Sequence, residues 1–160
     1  MYNTHKSLSL RSLVFGIVFV LSVFTSAQKS MALPFDPNNY TFLVYDPTPS
    51  NHWIRAAMEH ILGRQLNQNE IRDSTNPVTA TDIASHDILI VGTNGGGDTT
   101  GLDAITLSTG ITGRVILTGH DVDWHSINDS KLYVRQAAEK FLVNAINYAL
   151  HGGGTGMIVL

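Results

Sequence analysis

Residues 113–125 read Gly-Arg-Val-Ile-Leu-Thr-Gly-His-Asp-Val-Asp-Trp-His, a three-residue apolar run between glycines followed at once by polar, ligand-capable side chains. A run apolar at consecutive rather than alternate positions reads as a strand buried on both faces. A sheet buries a strand that way only when helices cover both its sides, which points to a parallel sheet with Arg114 to Thr118 as its central strand. The cluster that follows would then stand at the carboxyl edge, where open α/β sheets place their ligands.

The rest of the chain fits that frame. Residues 40–45, Tyr-Thr-Phe-Leu-Val-Tyr, have the make-up of a buried strand, and the turn 46–51, Asp-Pro-Thr-Pro-Ser-Asn, ends it because proline cannot donate to a ladder. Ser50 or Asn51 is placed to cap a helix with Trp53, Ala56, Ala57, His60 and Ile61 on one side and Gly63 as its stop. The topology asks for an edge strand within 66–72. A short helix is expected over 81–85, a buried strand over 87–92, and a loop at 93–98 containing three consecutive glycines. A helical segment over 100–108 leads into the central strand.

Beyond His125 a polar loop is expected, then a helix with Val134, Ala138, Phe141, Leu142, Ala145, Ile146 and Ala149 on its apolar face and His151 and Gly152 at its end. A last strand occupies 156–160, and the stop inside it reads as a truncated gene product. Because parallel strands need crossovers, the expected fold class is α/β: a three-layer parallel sheet of about five strands with helices on both faces, in a flavodoxin-like order.

The amino end reads separately. Lys6 and Arg11 precede an apolar run from Leu13 to Leu21, extended by Val23 and Phe24, with Thr25, Ser26 and Ala27 after it. This is the order of a secretory signal peptide, and the run is shorter than the ~20 residues of a spanning helix. The expected organisation is a signal peptide at 1–27 with a second cleavage site near Ala32, a flexible lead at 28–39, and one domain at 40–160. Cleavage would remove Lys6 and Arg11 and no acid, taking the formal charge from −3 to −5. An acidic chain without a Lys/Arg cluster has no nucleic-acid footprint, and with no cysteine it has no disulfide scaffold, thiolate metal site or cysteine nucleophile. No stable membrane span is expected after cleavage.

Neighbouring strand ends share one edge, so the candidate ligand-binding residues are Asp46, Asn94, Asp98, His120, Asp121, Asp123 and His125. His120, Asp121, Asp123 and His125 are also candidate ligands of a divalent cation, calcium through oxygens or zinc through imidazoles. Aspartates directly after a strand commonly shape turns, and Asp121 and Asp123 read first that way. Trp124 reads as a lid over the strand end. Gly95 to Gly97 is a plain turn ahead of an anion cradle, lacking the Lys-Ser/Thr ending of a phosphate loop. His52, His60 and His86 read as surface residues.

The pairing of residues 87–92, Asp-Ile-Leu-Ile-Val-Gly, with 117–121, Leu-Thr-Gly-His-Asp, resembles the class I glutamine amidotransferase-like superfamily. There a strand ending in glycines is followed by one carrying a Cys-x-Gly-His-Gln turn. The resemblance puts Leu117 in the nucleophile's position, and no His-x-Glu pair follows, which implies the fold without the chemistry. A domain near the amino end of exported bacterial surface proteins is a closer resemblance. It shares a Gly-Thr/His-Asp-x-Asp-x-His turn after a strand, a helix like residues 138–147 and a Thr-Gly-led apolar strand like 155–160. That likeness spans nearly the whole mature chain and comes without an assigned activity. The reading is a secreted, non-catalytic α/β module of a larger cell-surface protein with an extracellular or cell-surface ligand, and the alternative is a metal-assisted hydrolase built on the His120 to His125 loop.

Overall fold

The computed structural model describes residues 33–47, 52–92, 100–118 and 121–160. The signal peptide expected at 1–27 lies outside the described residues. Among the described residues five strands form one all-parallel sheet: β1 (Phe42–Tyr45), β2 (Ile71–Arg72), β3 (Ile88–Val91), β4 (Val115–Leu117) and β5 (Gly156–Val159). The helices are α1 (Trp53–Leu62), α2 (Ala80–Ala84), α3 (Ala104–Gly110), α4 (Val122–Asn128) and α5 (Leu132–Leu150).

Spatial order along the sheet is β2-β1-β3-β5-β4. The architecture is the expected three-layer, flavodoxin-like α/β fold, with its last two strands exchanged relative to the simple 2-1-3-4-5 progression. The chain leaves β3, passes over one strand position to lay down β4, and returns to fill the gap with β5. The run expected at the centre of the sheet is therefore an edge strand, with Leu117 73% exposed. Consecutive apolar residues fit a doubly covered strand and an edge strand equally well, and the three residues of Val115–Leu117 do not distinguish them.

A parallel crossover has one hand, so reversing its direction along the sheet moves its helix to the other face. The crossovers β1 to β2 and β4 to β5 run toward one edge and carry α1, α4 and α5, which pack on one another. Those from β2 to β3 and β3 to β4 run the opposite way and carry α2 and α3. Under the second layer Leu43, Tyr45, Leu89 and Val91 join Val78 and Ile83 in a buried cluster, closed by Leu107, Ile111, Met157 and Val159. The alternate set, Phe42, Val44, Ile88, Ile90 and Ile158, is fully buried beneath the first layer.

Local signals explain most boundaries. Gly63 ends α1 in the left-handed region at φ 65°, a conformation most side chains resist. Gly92 continues β3 where a Cβ would stand 2.6 Å from Ile54 Cγ2, so only glycine lets α1 settle this closely on the strand end. The buried side of α1 is Ile54, Ala57, Met58, Ile61 and Leu62, turned from the expected one, and His60 lies at the surface near Glu139. Its cap position is taken by His52 without a side-chain cap bond, while Ser50 and Asn51 lie outside the described residues. The expected flexible lead is packed over its described part: Phe35 is buried against the rings of Tyr40 and Phe42, and Asp36 caps a 3-10 turn at Pro37–Asn39. In α5, Phe141 belongs to the exposed side rather than the core side formed by Leu142, Val143, Ala145, Ile146 and Ala149.

The short strand β2 is held by charge as well as by its ladder to β1. Arg72 Nε donates to Asp82 Oδ2 at 3.0 Å and its terminal nitrogen to Oδ1, while Thr79 and Asp82 form a reciprocal capping box at the start of α2. Burial alone would raise the Asp82 carboxyl, but hydrogen bonds from Arg72 and Thr79 outweigh it and lower the pKa from 3.8 to about 2. A depressed carboxyl stabilises the fold above its unfolded value and loses that contribution as pH falls through its folded value. Asp82→Asn is therefore expected to cost roughly 2 kcal/mol at pH 7, with the gap to wild type closing between about pH 4 and pH 2. Urea unfolding of both proteins across that range checks it, and a gap independent of pH would contradict the assignment.

Candidate functional site at the carboxyl edge of the sheet

The chain leaves β1 toward one edge and β3 toward the other, so a crevice opens between the carboxyl ends of these adjacent strands. The ladder extends one residue past the strands there: Asp46 N–H donates to Arg72 O, Gly92 N–H to Tyr45 O and Leu160 N–H to Val91 O. These bonds fix the backbone at the floor of the crevice. Asp46 stands at its mouth with a nearly buried carboxylate, 4% exposed.

A buried carboxylate needs a partner, and His52 supplies it. Its Nδ1 lies 2.7 Å from Asp46 Oδ2, and its ring is about half exposed. Sequence reasoning set His52 aside as a surface residue. A usable signal was its place at the start of the first crossover helix, because a loop leaving β1 and entering α1 begins and ends near the same sheet edge. The next residue, Trp53, meets Trp124 edge-on with ring centroids 6.4 Å apart, and Trp124 also meets the His125 ring at 4.9 Å. An edge-to-face aromatic pair thus joins the opening of α1 to α4.

Residues 122–128, expected as a loop, form α4 instead. Val122 and Ser126 are buried one turn apart, and Asp123 sits in the first turn, where a carboxylate favours the helix dipole. Asp121 occupies the cap position without a side-chain cap bond, so the structure replaces the turn-forming reading of these aspartates with a helix start. Burial raises the Asp123 carboxyl above its ordinary value. Amide hydrogen bonds from Trp124 and from Asp123 itself oppose the rise, and the nearby carboxylates of Asp121 and Asp46 add to it. Asp123 thus lies within electrostatic reach of Asp121 and Asp46.

His125 does not join them. Its Nδ1 pairs with Asp129 Oδ2 at 3.0 Å, one turn along, and contributes to holding that carboxyl below its ordinary range, behind the Lys131 amide. Asn94, Asp98 and His120 lie outside the described residues, as does the Gly95 to Gly97 turn. Among the described residues no three His, Asp or Glu side chains come together to hold a metal ion. Chemically, the assembled groups are a carboxylate–imidazole pair, a carboxyl whose pKa burial raises, and an aromatic pair beside them. The chain matches no protein-family model, and no curated protein or solved structure matches it.

The raised carboxyl gives a prediction of definite sign. A carboxyl whose folded pKa lies above the unfolded one binds its proton more tightly in the native state, so its ionisation destabilises the fold as pH rises. Asp123→Asn keeps the shape of the neutral acid, so the variant is expected to melt higher than wild type at pH 7 and to lose that advantage below about pH 4. Thermal melts of the two proteins across this range check it. A variant less stable than wild type at neutral pH would mean that the charged form is the one the site holds.

Proposed function

We propose that this chain is an exported, non-catalytic α/β module of amidotransferase-like kind that serves a larger cell-surface protein through a ligand held at the carboxyl edge of its sheet. The observation that carries the reading is the setting of Leu117. The resemblance assigns the nucleophile's position to this residue, and it is an exposed aliphatic side chain on an edge strand, separated by β5 from the crevice between β1 and β3. The polar groups near that crevice are engaged with one another, Asp46 with His52 and His125 with Asp129. Such groups can orient a ligand by hydrogen bonding beside the Trp53 and Trp124 rings. The exported location rests on the basic, apolar and small-residue order of residues 1–27. No helix among the described residues is long and apolar enough to cross a membrane.

The reading is tested by assaying the purified protein on glutamine and on a panel of esters and glycosides, beside His52→Ala and His120→Ala. The expected result is the same background rate for all three proteins. Turnover by wild type that either substitution abolishes would overturn it and restore an enzymatic role.

A further inference from the structure

Strand β4 pairs with β5 on one side and ends the sheet on the other. Arg114 O accepts from Met157 N–H, and Thr118 N–H donates to Val159 O, so the backbone groups of these residues turn toward β5. Peptide groups alternate sides along a strand, which points the N–H and C=O of Val115 and Leu117 away from the sheet. Their side chains are exposed too, Val115 at 46% and Leu117 at 73%. The run carries no proline and no charge, the devices that ordinarily guard a free edge.

An aromatic stripe runs beside it. Tyr133, Phe141 and Tyr148 are exposed at 68%, 43% and 51%, and their spacing puts them on one side of α5. The stripe and the strand are neighbours, because the Arg114 guanidinium lies 4.4 Å over the Tyr148 ring and donates to the Tyr148 carbonyl oxygen at 3.1 Å. An aromatic side chain presents roughly 150–250 Å², so these three expose on the order of 300 Å² on the α5 face, while Val115 and Leu117, in register with Met157 and Val159, expose theirs on the other face of the sheet. The edge strand and the two faces beside it together supply part of the ~800 Å² each partner gives to a standard interface.

We propose that this edge is the two-fold interface of a homodimer, in which β4 pairs antiparallel with β4 of a second copy about Ile116. Self-complementarity singles out the second copy. Pairing centred on Ile116 sets Val115 of each copy opposite Leu117 of the other, and these are the residues whose backbone groups point outward, as a hydrogen-bonded antiparallel pair requires. Ile116 then faces its own counterpart across the axis, at the closer, non-hydrogen-bonded position. Electrostatics agree, since Val115, Ile116 and Leu117 bring no charge to the seam and Arg114 is held back over Tyr148. The joined sheet would leave β2 as the edge at each end.

Sedimentation equilibrium tests the proposal, with Leu117→Lys and Ile116→Cys as variants. Wild type is expected to dimerise, and Leu117→Lys to weaken the dimer on the order of tenfold or more while the variant keeps its fold, its side chain being exposed. The protein has no cysteine, so Ile116→Cys introduces a single thiol. At the close antiparallel position the paired Cα atoms stand about 4.5 Å apart, within disulfide range, and mild oxidation is expected to give a covalent dimer. A wild-type monomer at all concentrations would overturn the proposal and leave the edge to another segment of the chain or to a different protein. A dimer unaffected by Leu117→Lys, or one weakened by it that fails to crosslink at Ile116, would overturn the pairing.

Discussion

Parallel pairing is the constraint on which the rest of this molecule depends. Two parallel strands cannot be joined by a tight turn, so each ladder in the sheet obliges the chain to cross back over a face, and a crossover of one hand fixes which face. From this follow the division of the helices into α1, α4 and α5 against α2 and α3, the full burial of Leu89 and Ile90 on opposite faces of β3, and the gathering of all strand exits along one edge. The crevice between β1 and β3 is a product of the same rule, because it opens where crossovers leave in opposite directions.

The carboxyl edge shows what that geometry demands of side chains. Asp46 leaves β1 with its carboxylate removed from water, so that group must be satisfied locally. His52 arrives at the same place because the loop from β1 to α1 returns to the edge it left. Asp123 arrives from the other direction, carried on α4 after β4, and burial raises its pKa there. An acid paired with an imidazole and a buried acid of raised pKa thus lie near one another beside two tryptophans.

Much of the fold was legible in the sequence, for reasons that are local. The apolar runs ending at Tyr45, Val91 and Val159, the stop at Gly63 and the long amphipathic stretch of α5 each announce themselves within a few residues. Even the two-residue β2 was expected, from the need of a crossover for a neighbouring strand. Strand order was not legible, because nothing in Val-Ile-Leu at β4 or Met-Ile-Val in β5 encodes which of them sits inside. The partner of Asp46 was hidden for a similar reason: His52 looks like any polar residue ahead of a helix until the loop is closed. The start of α4 was masked by its content, since Asp-Val-Asp-Trp-His resembles a loop that collects ligands and is the first turn of a helix.

Leu117 stands on an exposed edge, away from the crevice, because β5 lies between β3 and β4. Nuclear Overhauser contacts between backbone protons of neighbouring strands test that directly. The expected pattern links Ile90 with Ile158 and Ile158 with Ile116, following the observed registers. Contacts running straight from residues 88–91 to residues 115–117 would put β4 beside β3 in the simple 2-1-3-4-5 order, returning Leu117 to the interior and contradicting the account.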